Sequence, residues 1–180
     1  MKHALAFLLL TSLARAADQQ WVLQESTLTY RVSHPLHSTE GVSRAARGKG
    51  VCHDGQCDFL IAAPVKSFDS GDSNRDLHML QATHGEQFPL ISVRTKFSET
   101  ALTSSTIHLD LEIQFAGQTA QYKQLPFQVT KQGASPGSGA RISGTIPATL
   151  ADFKIEPPSL LSIAVKNEMP VKVEMTWRPQ

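Results

Sequence analysis

Four histidines are the first candidates for chemistry, because imidazole is the commonest metal ligand and titrates near neutral pH. His34 and His37 lie in the short stretch HPLH, and His78 and His84 lie further along the chain. His34 and His37 are three residues apart across a proline, a spacing found in neither HExxH nor Cys/His zinc sites. Residues three apart in an extended strand also face opposite sides. The sequence therefore predicts no metal site and no cofactor.

A second polar group is the Arg-Asp-Leu-His stretch that contains Arg75, Asp76 and His78. The planar guanidinium of Arg75 suits the phosphate or carboxylate head group of a ligand, with His78 beside it. The alternative is structural: Asp76 caps a helix, and Arg75 pairs with Asp69 or Asp72. Charged residues are routine in the first turn of a helix, so the sequence favours the structural interpretation.

The two cysteines, Cys52 and Cys57, lie in VCHDGQCDF and enclose the residues HDGQ. Asp-Gly is a strong signal for a two-residue hairpin turn, which would place the two thiols opposite each other. The spacing is not C-x-x-C, so a redox-active pair is less favoured. In an exported chain this arrangement predicts a disulfide.

The N-terminal residues have the form of a secretory signal peptide. A short basic start, an apolar run over residues 4–13 and Ala14-Arg15-Ala16 predict cleavage near Ala16. The apolar run is too short to span a bilayer, which takes ~20 residues, and no other segment is long enough. We therefore expect a protein exported to the periplasm or secreted, with one domain over residues 17–180 and no transmembrane segment.

Charge argues against a nucleic-acid partner. Without Lys2 and Arg15, the 17 basic residues fall to 15, against 16 acidic residues. Nucleic-acid binding requires clustered Lys and Arg, and the longest basic cluster, residues 44–49, is interrupted by Ala and Gly. The sequence leaves open whether two copies form a homodimer.

Most of the chain alternates apolar and polar residues, as half-buried strands do. The clearest case is IHLDLEIQF at residues 107–115, whose apolar members a helix of 3.6 residues per turn would scatter. Similar runs recur along the chain, with turn signals between them. Many short strands with this spacing predict an antiparallel barrel or sandwich.

One helix of about ten residues interrupts the strands. Ser73 and Asp76 fit a capping box, with Ser73 at the N-cap. Leu77 and Leu80 lie on one face, and Gly85 is placed to end the helix in a left-handed conformation. The helix is expected to cross one end of the sheet structure.

In their order and spacing, several motifs resemble the YceI-like family, also called polyisoprenoid-binding proteins. They begin with Trp21, STLTYRVSHPLH and Gly41, continue with SFDSGDSNRDLHML followed by QFPLISVRTKF, and end with ISGTIPATLADFKI. The resemblance covers essentially all of residues 17–180. It implies an all-β fold, a lipocalin-like eight-stranded antiparallel β-barrel with one short helix inserted between strands. It also implies an apolar channel that holds an isoprenoid or another long-chain lipid.

If the apolar strand faces point inward, eight side chains are predicted to line this channel and contact the ligand. They are Val93, Phe97, Leu109, Leu111, Ile113, Phe115, Ile142 and Ile146. Eight-stranded barrels can also be filled by their own side chains, and apolar inward faces are needed in either case. The resemblance favours an open channel and a protein that sequesters or carries lipid.

Other functions remain as alternatives. One is a secreted structural, interaction or stress-response domain with a filled barrel and no lipid ligand, and another is a metal- or haem-associated protein that uses the histidines. The sequence has no G-x-S-x-G, phosphate-binding glycine loop or dinucleotide fingerprint, so no enzyme is predicted. A hydrolase site assembled from distant residues at the barrel mouth is a weaker alternative.

Overall fold

The computed structural model describes residues 18–133, 138–160 and 163–180. The predicted signal peptide, residues 1–16, lies outside the described residues. The strands are β1 (Gln19–His34), β2 (His37–Ser43), β3 (Arg47–His53), β4 (Gln56–Pro64), β5 (Leu90–Ser98), β6 (Thr106–Phe115), β7 (Gln118–Lys131), β8 (Ala140–Ile146), β9 (Ser159–Leu160), β10 (Ile163–Ala164) and β11 (Val171–Pro179). The helix α1 is Ser73–Ala82, and three short 3₁₀ helices span Val65–Ser67, Glu99–Thr103 and Ala151–Phe153.

The main sheet closes into an eight-stranded antiparallel barrel. Each strand from β3 to β7 pairs with the next in sequence, β8 pairs with β11, and β11 pairs with β1. The long strand β1 completes the circle: its first part pairs with β3 and its second part with β2. Strands β2 and β3 thus share one position in the wall. The predicted fold class is confirmed.

The alternation in β6 shows why these residues form a barrel. Ile107, Leu109, Leu111, Ile113 and Phe115 are all buried, while the residues between them are exposed or half-buried. Successive side chains of a strand point to opposite faces, so a period-two pattern places every apolar residue on the inner face. Burial of that face is the main favourable contribution to folding.

The helix α1 has the predicted length, but both of its ends differ from the prediction. The N-cap is Asp72 and not Ser73: the Asp72 carboxylate accepts hydrogen bonds from the backbone N–H groups of Asn74 and Arg75, each 3.0 Å long. Asp and Ser are equally good N-caps, and here the chain turns into the helix one residue earlier. Asp76 instead accepts a hydrogen bond from the backbone N–H of Ser70 at 3.0 Å.

At the C-terminal end, the left-handed residue is His84, with φ of 50°, and not Gly85. The N–H of His84 donates to the carbonyl of Gln81, and the N–H of Gly85 donates to that of Leu80, which together form a Schellman motif. A glycine fits at position 85 for a different reason, since a Cβ there would lie 2.7 Å from Leu80 Cδ2 and that side chain would have to shift. Leu77 is also not on the packing face, because 52% of its surface is exposed.

One end of the barrel carries most of the connecting structure. In an antiparallel barrel the C-terminal ends of alternate strands meet at the same end, and here these are β1, β4, β6 and β8. The β1–β2 hairpin, α1 and the segment 147–158 therefore lie together. Leu150, Phe153 and Ile155 of that segment are buried in the core. We call this end the helix end.

The opposite end carries the β3–β4 hairpin and its disulfide. Cys52 and Cys57 are register partners and are bonded to each other, which confirms the predicted pair. Asp54 and Gly55 have φ values of 48° and 76°, as a two-residue type I′ turn requires. In the described parts of the chain, no helix has both the length and the apolar character needed to cross a membrane.

Candidate functional site

The barrel encloses a cavity of ≈ 470 Å³. This volume lies in the range of pockets that hold small-molecule ligands, roughly 300–1,000 Å³. Its wall is formed mainly by apolar side chains, and every one of the eight strand positions contributes to it. Such a wall offers a guest molecule dispersion contacts and exclusion of water, with few polar partners.

The structure brings the sequence-predicted residues together around this space. Val93, Phe97, Leu109, Leu111, Ile113, Phe115, Ile142 and Ile146 all line the cavity, and so do Arg75 and His78. The fold thus places all ten side chains at the cavity wall. Their contact with a ligand stays a prediction.

Several residues that line the cavity were not predicted from the sequence. Phe59 and Ile61 share the buried face of β4 with Cys57 and Ala63, so the period-two signal that could have found them was present. Leu150, Phe153 and Ile155 also line the cavity, but they belong to an irregular segment with no period. Only the tertiary structure shows that this segment folds over the helix end.

Aromatic rings line the half of the cavity that lies away from α1. The ring centroid of Phe59 is 4.8 Å from that of Trp177, 5.2 Å from Phe97 and 6.3 Å from Trp21. Tilted and edge-to-face rings at these distances attract one another through their quadrupoles. Both tryptophans of the chain are therefore in the cavity wall, where their fluorescence would respond to a bound molecule.

The helix presents one face to the cavity. Arg75, His78, Met79 and Ala82 line it, and their spacing of three, four and seven residues places them on one side of an α-helix. The face is polar in its first turn and apolar further along. The helix thus supplies both a cover for the cavity and a charged group at its edge.

Arg75 does not form the predicted ion pair with Asp69 or Asp72 within the described residues. Its Nε donates to Ser70 Oγ at 3.3 Å, and its terminal nitrogen donates to the Ser70 carbonyl at 3.0 Å. Asp72 interacts with backbone N–H groups instead, and the hydrogen bond from that of Arg75 is the main cause that lowers the pKa of its carboxyl. The guanidinium is thus oriented by a serine and keeps its positive charge unneutralised by direct pairing.

Tyr30 packs behind Arg75 at the helix end. Its ring lies against Gly41, where any Cβ would collide with it, and its centroid is 5.7 Å from that of Phe68. Burial raises the pKa of the phenol, and the Asp76 carboxylate raises it further, while Arg75 acts in the opposite direction. The phenol is therefore a neutral donor over the physiological pH range.

The histidines do not gather into a metal site. Across the described ranges, no three His, Cys, Asp or Glu side chains are placed to hold a metal ion. His34 and His37 are neighbours in the β1–β2 hairpin, with ring centroids 5.2 Å apart, and both line the cavity. They contribute polar groups to its helix end.

Residues 21–177 match the family model described as the YceI-like domain. The protein belongs to the YceI-like family. The match covers most of the chain, from the first residues of β1 almost to the end of β11.

Two solved structures share the fold. A polyisoprenoid binding domain from Saccharophagus degradans, described as implicated in plant cell wall breakdown, aligns with a TM-score of 0.72 at 13% identity, over 89% of this chain and 98% of that one. BcnA from Burkholderia cenocepacia aligns with a TM-score of 0.69 at 14% identity, over 84% of this chain and 95% of its own. A comparison with curated protein sequences returned no match. At identities of 13% and 14%, the similarity to these two structures establishes the fold alone.

Proposed function

We propose that this YceI-like protein binds a long apolar molecule, an isoprenoid or another long-chain lipid, inside the barrel and acts by binding and release. The observation that carries the proposal is the cavity of ≈ 470 Å³ with its mainly apolar wall. A barrel filled by its own side chains would have no such space. The description of the Saccharophagus degradans domain as polyisoprenoid binding supports the same class of ligand.

The energetics of this site suit a hydrocarbon tail. Each buried CH₂ group contributes roughly 0.8 kcal/mol, so a tail of several isoprene units gains affinity without specific polar contacts. Arg75 and His78 are the residues we assign to the ligand's head group, since both line the cavity at the helix end.

We further propose that the protein is exported. The sequence of residues 1–16 has the form of a cleavable signal, and the Cys52–Cys57 disulfide is of a kind that persists in oxidising compartments. Sequencing the N-terminus of protein recovered from the periplasm or the medium tests this. A mature chain that begins near residue 17 is expected, and an intact Met1 in recovered protein would contradict it.

The binding proposal is tested by extraction of the purified protein. Native mass spectrometry is expected to show a bound mass that solvent extraction removes, and delipidated protein is expected to bind farnesol with a change in tryptophan fluorescence. Protein that carries no lipid and gives no response to farnesol would overturn the proposal.

A pair of neighbouring substitutions in β6 locates the site. Leu111 is buried and lines the cavity, while Glu112 is exposed on the outer face. Leu111→Arg is expected to abolish lipid retention, and Glu112→Arg, which introduces the same side chain one residue away, is expected to leave it unchanged. If Leu111→Arg fails to fold by circular dichroism, Leu111→Trp provides the same test, because it fills the cavity without a charge. Unchanged retention in a folded Leu111 variant would contradict the placement.

A further inference from the structure

A recess on the outer surface of the barrel lies beside β2 at the helix end. Its lining residues come from β1, β2 and the start of α1 with the turn before it: Arg31, Ser38, Thr39, Glu40, Ser70 and Arg75. In contrast to the cavity, every residue of this lining has a polar or charged side chain. Arg31 comes from the outer face of β1 and Arg75 from the first turn of α1, so two guanidinium groups from separate elements line one recess.

The recess exists because β2 leaves one edge open. An isolated bridge joins Val42 to Asp69, with hydrogen bonds of 2.9 and 3.1 Å between their backbones. From His37 to Gly41, within the described residues, no strand pairs with this edge. Hydrogen-bonding directions repeat every second residue, so the N–H groups of Glu40 and Ser38 point the same way as that of Val42. They face the recess as donors.

Two residues connect the recess with the interior. Thr39 and Arg75 line both the recess and the barrel cavity. The recess and the cavity therefore adjoin at these two residues, beside the open edge of β2. This adjacency is what a molecule with its tail in the cavity and its head group in the recess would require.

The recess carries positive charge. Arg31 donates to Ser38 Oγ at 3.3 Å and Arg75 donates to Ser70, and neither forms an ion pair in the described part of the chain. Glu40 supplies the opposing negative charge in the lining. Paired guanidinium forks with serine hydroxyls and backbone N–H donors are the groups that bind phosphate or carboxylate oxygens.

We propose that this recess is the head-group subsite for an anionic lipid, a phosphate monoester or a carboxylate, with Arg31 and Arg75 as its cationic residues. This inference rests on the proposed function, since it requires the tail of the same molecule in the cavity. It adds the charge of the ligand, the route by which the ligand crosses the wall, and a residue, Arg31, that does not line the cavity.

The test compares probes that share a tail and differ in the head. Delipidated protein is titrated with farnesyl phosphate, farnesol and inorganic phosphate, and tryptophan fluorescence and calorimetry measure binding. Farnesyl phosphate is expected to bind about tenfold more tightly than farnesol, since charge-assisted hydrogen bonds are the strong ones. The preference is expected to fall as salt is raised, because the recess is exposed.

Single substitutions assign the preference to the recess. Arg31→Gln is expected to weaken the binding of farnesyl phosphate but not that of farnesol, so that the two probes bind with similar affinity. Glu40→Gln removes the opposing negative charge and is expected to tighten the binding of farnesyl phosphate severalfold. Arg178→Gln removes an exposed arginine from β11 at the other end of the barrel and serves as the charge-matched control. It is expected to change neither affinity.

The outcomes separate this inference from the proposed function. If farnesol fails to bind, the cavity proposal fails and this inference fails with it. If farnesol binds but farnesyl phosphate binds no better, or if Arg31→Gln leaves the preference intact, the head-group subsite alone is overturned. Inorganic phosphate that binds as tightly as farnesyl phosphate would assign the recess to free phosphate and overturn the lipid assignment.

Discussion

The hydroxyl of Tyr122 donates a hydrogen bond to Asp152 Oδ2 across 2.6 Å. Tyr122 belongs to β7, and Asp152 belongs to the 3₁₀ helix Ala151–Phe153, which folds over the helix end of the barrel. The same carboxylate oxygen accepts from the backbone N–H of Thr149 at 2.8 Å. One side-chain contact thus joins the wall of the barrel to the segment that carries Leu150 and Phe153 into the core.

Tyr122→Phe is expected to loosen this connection. The substitution keeps the ring and removes one hydrogen bond to a charged group at an exposed site, so we expect the free energy of unfolding to fall by about 1.5 kcal/mol. Denaturant unfolding measures the loss. Tyr30→Phe removes the chain's other tyrosine hydroxyl and leaves the hydrogen bond to Asp152 intact. It serves as the control for this substitution at neutral and at acid pH.

Acid is expected to weaken the same contact. Burial tends to raise the pKa of the Asp152 carboxyl, but hydrogen bonds from Tyr122 and Thr149 outweigh burial, and its pKa lies below the ordinary value. A carboxyl with a lowered pKa in the folded state contributes stability above its unfolded pKa, and the contribution is lost as the pH falls through the folded value. Below about pH 4, wild type should therefore lose more stability than Tyr122→Phe does. Equal losses in the two proteins, measured by unfolding at neutral and acid pH, would contradict this.

The disulfide is expected to contribute modestly to stability. Cys52 and Cys57 are separated by 5 positions, and closing so short a loop stabilises the fold by about 2 kcal/mol in the loop-entropy model. Reduction should lower the free energy of unfolding by that amount or less, because the type I′ turn at Asp54 and Gly55 already favours the hairpin. The double variant Cys52→Ala/Cys57→Ala should be insensitive to reductant, and complete unfolding on reduction would contradict the estimate.

The barrel could be predicted because each strand separates solvent from a single enclosed space. That geometry imposes a period of two, which is plain in β6 and allowed eight residues to be predicted on the inner face. The Asp54-Gly55 turn was equally direct, since few residue pairs accept two positive φ angles. These features depend on neighbours in sequence.

Local sequence patterns do not determine the cap or the rotation of the helix α1. Its existence and length could be predicted, but Asp72 and Ser73 are adjacent and both are good N-caps, so sequence alone does not choose between them. Leu77 was expected on the packing face, yet the rotation of α1 is set by the barrel, which leaves Leu77 exposed and brings Met79 to the cavity wall with Arg75 at its edge. The pairing of Arg31 with Arg75 in one recess depends on the open edge of β2, which no local pattern records.

The N-cap is testable by two adjacent substitutions. Asp72→Ala removes the acceptor of two backbone N–H groups and is expected to lower the Tm by a few degrees. It is also expected to weaken ligand retention, because α1 contributes Arg75 and Met79 to the cavity wall. Ser73→Ala alters the residue that the sequence predicted as the cap and is expected to change neither property. The reverse ranking of the two variants would restore Ser73 as the cap.

Thr95 offers a test of the cavity wall that needs no ligand. Its side chain is buried and lines the cavity, but its hydroxyl has no hydrogen-bond partner among the described residues. A buried hydroxyl without a partner loses its hydration and gains nothing in return. Thr95→Val, which keeps the shape and removes the hydroxyl, is therefore expected to raise the free energy of unfolding by about 1 kcal/mol.

Thr83 provides the matched control, because it is buried to a similar degree and its hydroxyl donates to the Met79 carbonyl at 2.8 Å. Thr83→Val is expected to destabilise the protein by about 1 kcal/mol, since it breaks a hydrogen bond that is made. Denaturant unfolding of the two delipidated variants should thus give changes of opposite sign. If Thr95→Val also destabilises the protein, its hydroxyl has a partner such as an ordered water in the cavity, and the wall at that point is wetter than its apolar neighbours Phe59 and Leu111 indicate.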